Sequence, residues 1–251
     1  MNAIFRAAKV SVGAVVLGSA MSAQATSLTL DTTYLKANAV FSMSEMAGNA
    51  LSLTNSSITA LGNAADQGGL SFNLPVTKVN VSLGIPLLQP LVTPNWGNAT
   101  GSALEISRGS NSIYLANFAI DYSTDQVLAD ITVNGATTKS ASLYTFDAGK
   151  LSIGLSGLSL TMHQQLSNLT LSSTAASSFA DGLGLPSFFA STLSAIDFGT
   201  ITIDITTALR TGVSASAYTV SVPEAPPMMM MGLGLIGIAA LSRRRLQQAN
   251  R

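Results

Sequence analysis

The chain of 251 residues contains no cysteine. Disulfides, thiolate metal sites and thiol nucleophiles are therefore excluded. There is one histidine, His163, and one tryptophan, Trp96. A histidine-rich metal centre is excluded, and a serine hydrolase would have to use His163 as its base. Charge is scarce as well, with Asp, Glu, Lys and Arg making up 10% of the residues. The formal net charge of zero hides an imbalance, because residues 26–222 carry six basic side chains against eleven acidic ones, a net of minus five. A body of that sign is unsuited to nucleic acid, which needs a basic patch. No phosphate-binding glycine loop occurs, and Gly154-Leu155-Ser156-Gly157 is followed by Leu158 where a serine-hydrolase elbow needs glycine. No cofactor is indicated.

What is present is concentrated first at the two ends. Residues 1–25 open with Arg6 and Lys9, continue through the uncharged run VSVGAVVLGSAM and close on Ala23-Gln24-Ala25. That order is a secretory signal with a signal-peptidase site at Ala23 and Ala25, which implies export through the Sec route and a mature chain starting near Thr26. At the other end, residues 228–241 form an uncharged apolar stretch followed by Arg243, Arg244 and Arg245. As a helix the stretch reaches roughly 21 Å, against a hydrocarbon core of about 30 Å. Alone it is marginal; the three arginines, costly at mid-bilayer, make it a stop that keeps the tail cytoplasmic and the body outside.

Pro223-Glu224, an apolar helix and an arginine cluster at the C-terminus resemble the PEP-CTERM sorting signal. The resemblance covers residues 222–251 and implies an exosortase-type membrane protease that cuts near Pro223, Glu224 and Ala225. Pro-Glu-Ala stands where the usual signal reads Pro-Glu-Pro. An ordinary permanent tail anchor is the bland alternative.

Between the ends, residues 26–221 read as one exported domain. Period-two alternation dominates: in SIYLANFAIDY, Tyr114, Ala116, Phe118, Ile120 and Tyr122 fall on one face, and after the turn STDQ so do Val127, Ala129, Ile131 and Val133. Further strands are expected in LSLTNSSITAL, VTKVNVSLG, ALEIS, ASLYTF, KLSIGL, LSLTM and TITIDIT. SSTAASSFADGLG and PSFFASTLSAIDFG carry caps, apolar residues at helical spacing and glycine stops. GIPLLQPLVTPNWGN reads as a long loop in which Trp96 is a packing anchor or a ligand contact. The expectation is a mainly β fold, an antiparallel sandwich or open barrel with one or two short helices, plus a C-terminal transmembrane sorting helix.

The running order ALEIS, SIYLANFAIDYSTDQVLADI, LSLTM, LTLSSTAASSFADGLG, FGTITIDIT is similar to that of HtaA-type haem-binding domains. That resemblance implies haem, with a tryptophan, a Ser-Phe pair and a tyrosine near the domain start; here only Tyr34 stands in such a place. His163 sits on the polar side of its strand with Ser159 and Thr161 and reads as solvent-exposed and idle. Asp121, Asp125, Asp130, Asp197 and Asp204 would serve a glycoside hydrolase only if two of them met in a cleft. The reading is a non-enzymatic protein exported by way of an inner-membrane intermediate. It is sorted by exosortase to the cell surface or extracellular matrix, with a structural or adhesive role linked to exopolysaccharide or biofilm. The alternative is an HtaA-type haem-binding module.

Overall fold

The computed structural model describes residues 26–84, 92–156 and 159–220. In chain order the elements are β1 (Thr26–Asp31), β2 (Leu35–Met43), α1 (Glu45–Leu53), β3 (Ser57–Gly62), β4 (Ala65–Gly68), β5 (Ser71–Pro75), β6 (Lys78–Leu83) and β7 (Val92–Arg108). There follow β8 (Asn111–Asp121), β9 (Gln126–Val133), β10 (Ala136–Ala148), β11 (Ser152–Ser156), β12 (Ser159–Leu171), α2 (Ser173–Gly182), α3 (Phe189–Leu193) and β13 (Gly199–Leu209). All strands join one antiparallel sheet in the order β1-β6-β7-β8-β9-β10-β12-β13-β2-β5-β4, with β11 beside β12 and β3 beside β7. The sheet curls into a half-barrel whose ends do not meet. Of the two architectures expected, the open barrel is the one formed.

Curling gives the sheet a concave face, and the core lies there. Ile113, Leu115, Phe118, Ile120, Val127, Ala129 and Ile131 point into it from β8 and β9, and Phe41, Leu143, Phe146, Leu166, Ile201 and Ile203 from the facing strands. The alternation expected for β13 holds, with Ile201 and Ile203 buried and Thr202 and Asp204 outside. The single-face reading of β8 does not hold. Ile113 and Leu115 are core residues in its first half, and Phe118 and Ile120 in its second. Asn117, at φ 53°, inserts an extra residue between them and flips the parity. Tyr114 therefore faces away from Phe118.

Part of the expected long loop at residues 84–98 is strand: Val92 to Asn98 is the first half of β7 and pairs with β6, while residues 85–91 lie outside the described residues. Pro94 is tolerated because the register shifts beside it, between Asn80 and Val81 on β6. LSLTNSSITAL divides between the end of α1 and β3. Among the described residues the helices number three, one more than the upper expectation, since α1 had no expected counterpart. Ser44 and Ser172 cap α1 and α2, each hydroxyl accepting a backbone N–H at 3.1 Å, from Ala47 and Ala175. Gly184, at φ 61°, ends α2 as expected, with the Leu185 amide donating to Ala180 O at 2.8 Å. Gly199 does not end α3. It opens β13 at φ 120°, where a Cβ would lie 2.1 Å from Ser42 O.

After β13 the chain turns back as an extended strap over residues 210–220. Val213 N donates to Thr33 O, Ser214 O accepts from Asn63 Nδ2 at 2.7 Å, and Tyr218 is gripped by the Asn117 amide. Asn117 Oδ1 accepts from Tyr218 N at 2.8 Å while its Nδ2 donates to Tyr218 O at 3.0 Å, the pattern of a strand pair made by a side chain. Beneath the strap Ala103 and Ala116 are buried on the face opposite Leu104 and Leu115. No helix among the described residues is long and apolar enough to cross a membrane. The expected signal peptide at 1–25 and sorting signal at 222–251 lie outside the described residues.

Candidate functional site

Two concave features stand out, one polar and open, the other apolar. The first is a groove of about 540 Å³ over the ends of β7 and β8, lined by Trp96, Asn95, Asn98, Asp121, Ser123 and Leu128 among others. Trp96 lies directly across from Asp121 in the ladder, so the two side chains share a face. Asp121 is held in place by the Ser123 amide and hydroxyl, at 2.8 and 2.6 Å. Those two bonds keep its carboxyl below the ordinary carboxylate value, with the hydroxyl contributing most. Asn95 is fixed by neighbours on β6, its Nδ2 donating to Asn80 Oδ1 at 2.6 Å and to Ser82 Oγ at 2.9 Å. A half-buried indole beside an ionised carboxylate and oriented amides offers an apolar face ringed by hydrogen-bonding groups. That is the chemistry of a sugar ring, which is apolar on its C–H face and polar at its edge.

The second feature is a cavity of about 440 Å³ between the concave face and the helices. Phe41, Leu74, Leu104, Leu115 and Phe118 form its floor, and Met46 and Ala50 of α1 with Phe189 and Leu193 of α3 form its roof. α2 packs closely on β8, β9 and β10, whereas α1 and α3 stand further off the sheet. No charged residue lines the space among the described residues. The cavity opens to solvent past Met46 and Leu53, which are 60% and 87% exposed. Tyr144 lines the cavity at 5% exposure, its phenol pushed up from its ordinary value by burial. Its hydroxyl has no hydrogen-bond partner among the described residues.

Residues singled out in the sequence are dispersed. His163 is exposed as expected but is not idle: its Nδ1 lies 2.7 Å from Asp204 Oδ1 on the neighbouring strand, both side chains being about half exposed. No serine hydroxyl is bonded to it among the described residues. The five aspartates do not converge. Asp130 accepts from Asn117 Nδ2 and Ser140 N, Asp197 from Gly199 N, and Asp204 pairs with His163. Asp125 occupies a positive-φ position in the β8–β9 turn, and only Asp121 lines a described groove. Tyr34 stands exposed in the β1–β2 turn against Gly212 and lines neither concave feature. No cluster of three or more metal-ligating side chains occurs among the described residues. Ala23, Ala25, Pro223, Glu224, Ala225, Arg243, Arg244 and Arg245 lie outside them.

Asn95, Asn98 and Asp121 were not foreseen as companions of Trp96. The dense polar signature NWGN was the available signal, hidden by reading the segment as a loop. Tyr144 was legible only as one residue of ASLYTF.

No protein-family model and no curated protein matches the sequence. Among solved structures the chain is similar to the C-terminal domain of HtaA from Corynebacterium glutamicum, seen as a domain-swapped dimeric variant. The identity is 14%, over 64% of this chain and 90% of that one, with a TM-score of 0.36. A likeness of that size bears on neither ligand nor activity.

Proposed function

We propose that this chain is an exported, exosortase-sorted protein of the cell surface or extracellular matrix. Its half-barrel is a non-enzymatic body with a structural or adhesive role in contact with exopolysaccharide. The sorting half of the reading is supported by the paired end signals, Ala23-Gln24-Ala25 and Pro223-Glu224 with Arg243 to Arg245. The contact half is carried by one observation, the groove in which Trp96 lies beside Asp121, Asn95 and Asn98. The open shape suits a chain passing through better than a small molecule enclosed.

Retention of the full chain on the exopolysaccharide of the producing cells tests the contact. Trp96→Ala should lower retention by roughly tenfold if one stacked ring is lost, worth on the order of 1 kcal/mol or more; unchanged retention removes the role of the groove. The second reading, an HtaA-type haem-binding module, is supported by strand and helix order after Gly101 alone. An unshifted Soret band on mixing the chain with micromolar haemin would dispose of it.

A further inference from the structure

The 440 Å³ cavity is a feature apart from the polar groove, and the proposed surface role makes no use of it. Its chemistry is narrow. The floor and roof are aliphatic and aromatic, and its polar lining side chains are Asn49, Thr54, Thr192 and Tyr144. Tyr144 is the most buried of these, and its hydroxyl is left without a protein partner among the described residues. That hydroxyl keeps some accessible surface, so it is open to a hydrogen bond with a bound molecule. A ligand that satisfies it must bring one hydrogen-bonding oxygen into an otherwise hydrocarbon-like space.

Charge is excluded from that space by the wall itself. A carboxylate or phosphate there would be desolvated with no cation to pair with. Arg108 is committed to the rim, where it ties together the ends of α1 and α2. Its Nε donates to Thr54 O at 3.0 Å and its Nη1 to Leu183 O at 3.2 Å. Size sets the remaining limit. A methylene fills about the liquid volume of a water, roughly 30 Å³, so 440 Å³ accommodates a single chain of roughly 14 carbons. The strap leaves the described body near Tyr218 on the opposite face of the sheet.

We propose that this cavity binds one uncharged long-chain aliphatic molecule, such as a fatty alcohol or ester. Its chain lies under α1 and α3, and its oxygen bonds the Tyr144 hydroxyl. Met46 and Leu53, both exposed and both lining the cavity on the α1 side, give the apolar lip across which such a molecule enters.

The test titrates the full chain with the uncharged fluorescent probe N-phenyl-1-naphthylamine and displaces it with dodecan-1-ol or with dodecanoate. One saturable site per chain is expected, with the alcohol displacing at roughly tenfold lower concentration than the acid because the carboxylate must be desolvated. Tyr144→Phe should weaken the alcohol by about fivefold, one hydrogen bond's worth, and leave the probe unaffected. Ala50→Trp, which fills the space from α1, should abolish probe binding with the circular dichroism unchanged. Leu193→Trp, from α3, replaces it if that variant does not fold. Probe binding that survives the filling variant at full capacity assigns the probe to another surface and overturns the proposal. So does equal displacement by acid and alcohol, or a Tyr144→Phe chain indistinguishable from the parent.

Discussion

Arg210 makes more hydrogen bonds than any other charged side chain described. Its guanidinium donates five hydrogen bonds: to the carbonyls of Thr32, Thr33, Ala37 and Val76 and to Asn38 Oδ1, at 2.7 to 3.3 Å. It thereby ties the β1–β2 turn to the β5–β6 junction. Arg210→Ala should cost about 2–4 kcal/mol in urea denaturation, since bonds to a charged donor are lost and part-buried carbonyls are stranded. Arg210→Lys should recover only part, because an ammonium lacks the planar fork. Two aspartates respond to acid instead. Asp31 is held by the hydroxyl and amide of Thr33, and Asp121 by those of Ser123, so both carboxyls sit below their ordinary value of 3.8. A depressed carboxyl contributes its stability above the unfolded-state value and loses it as pH falls through the lower folded one. A carboxyl-carbon NMR titration should place both midpoints below 3.8, and Thr33→Ala should move the Asp31 midpoint upward.

At the scale of elements, a row of irregular positions crosses the sheet. Gly101 on β7, Asn117 on β8 and Ser140 on β10 all have positive φ, and Asp130 on β9 links the last two. Asn117 also accepts from Gly101 N at 3.1 Å, so its side chain makes four bonds and holds both the bulge and the strap. Asn117→Ala should release residues 211–220 to protease and remove hydrogen-exchange protection at Tyr218, at a cost of about 2–3 kcal/mol. This row explains where reading by periodicity failed. Val127, Ala129 and Ile131, with no bulge among them, lie where alternation puts them, but Tyr114 faces the other way because nothing in ANF announces a left-handed Asn117. α1 was missed for another reason: its Met46, Ala47, Ala50 and Leu51 are helically spaced but interrupted by Gly48 and Asn49, poor helix formers. Trp96 was recognisable as a candidate. Its companion Asp121 was not, because their pairing is made across two strands.

The whole body holds together with almost no charge pairing: the half-exposed contact of His163 with Asp204 is the one approach of a basic to an acidic side chain among the described residues. Its stability should therefore respond weakly to salt, the melting temperature moving by less than about 3 °C between low salt and half-molar sodium chloride. The sorting proposal makes its own demand. Intact mass of the exported form should show loss of both ends, near Ala25 and between Pro223 and Ala225. Replacing Arg243, Arg244 and Arg245 together with serine should let the short apolar segment slip through the membrane, leaving the tail uncut; a triple variant retained and processed normally overturns that role for the arginines.

The strap has a mechanical meaning. A sheet pulled from its final strand opens by peeling, one hydrogen bond at a time. Here the backbone leaves β13 and is gripped again at Tyr218 by Asn117, a residue of β8 with strands paired on both sides. Tension arriving through the C-terminus is met first at that grip, inside the sheet, before it can reach β13. A body tethered by its tail and holding a polymer elsewhere would part at the Asn117 clip, which can close again, while its strands stay zipped.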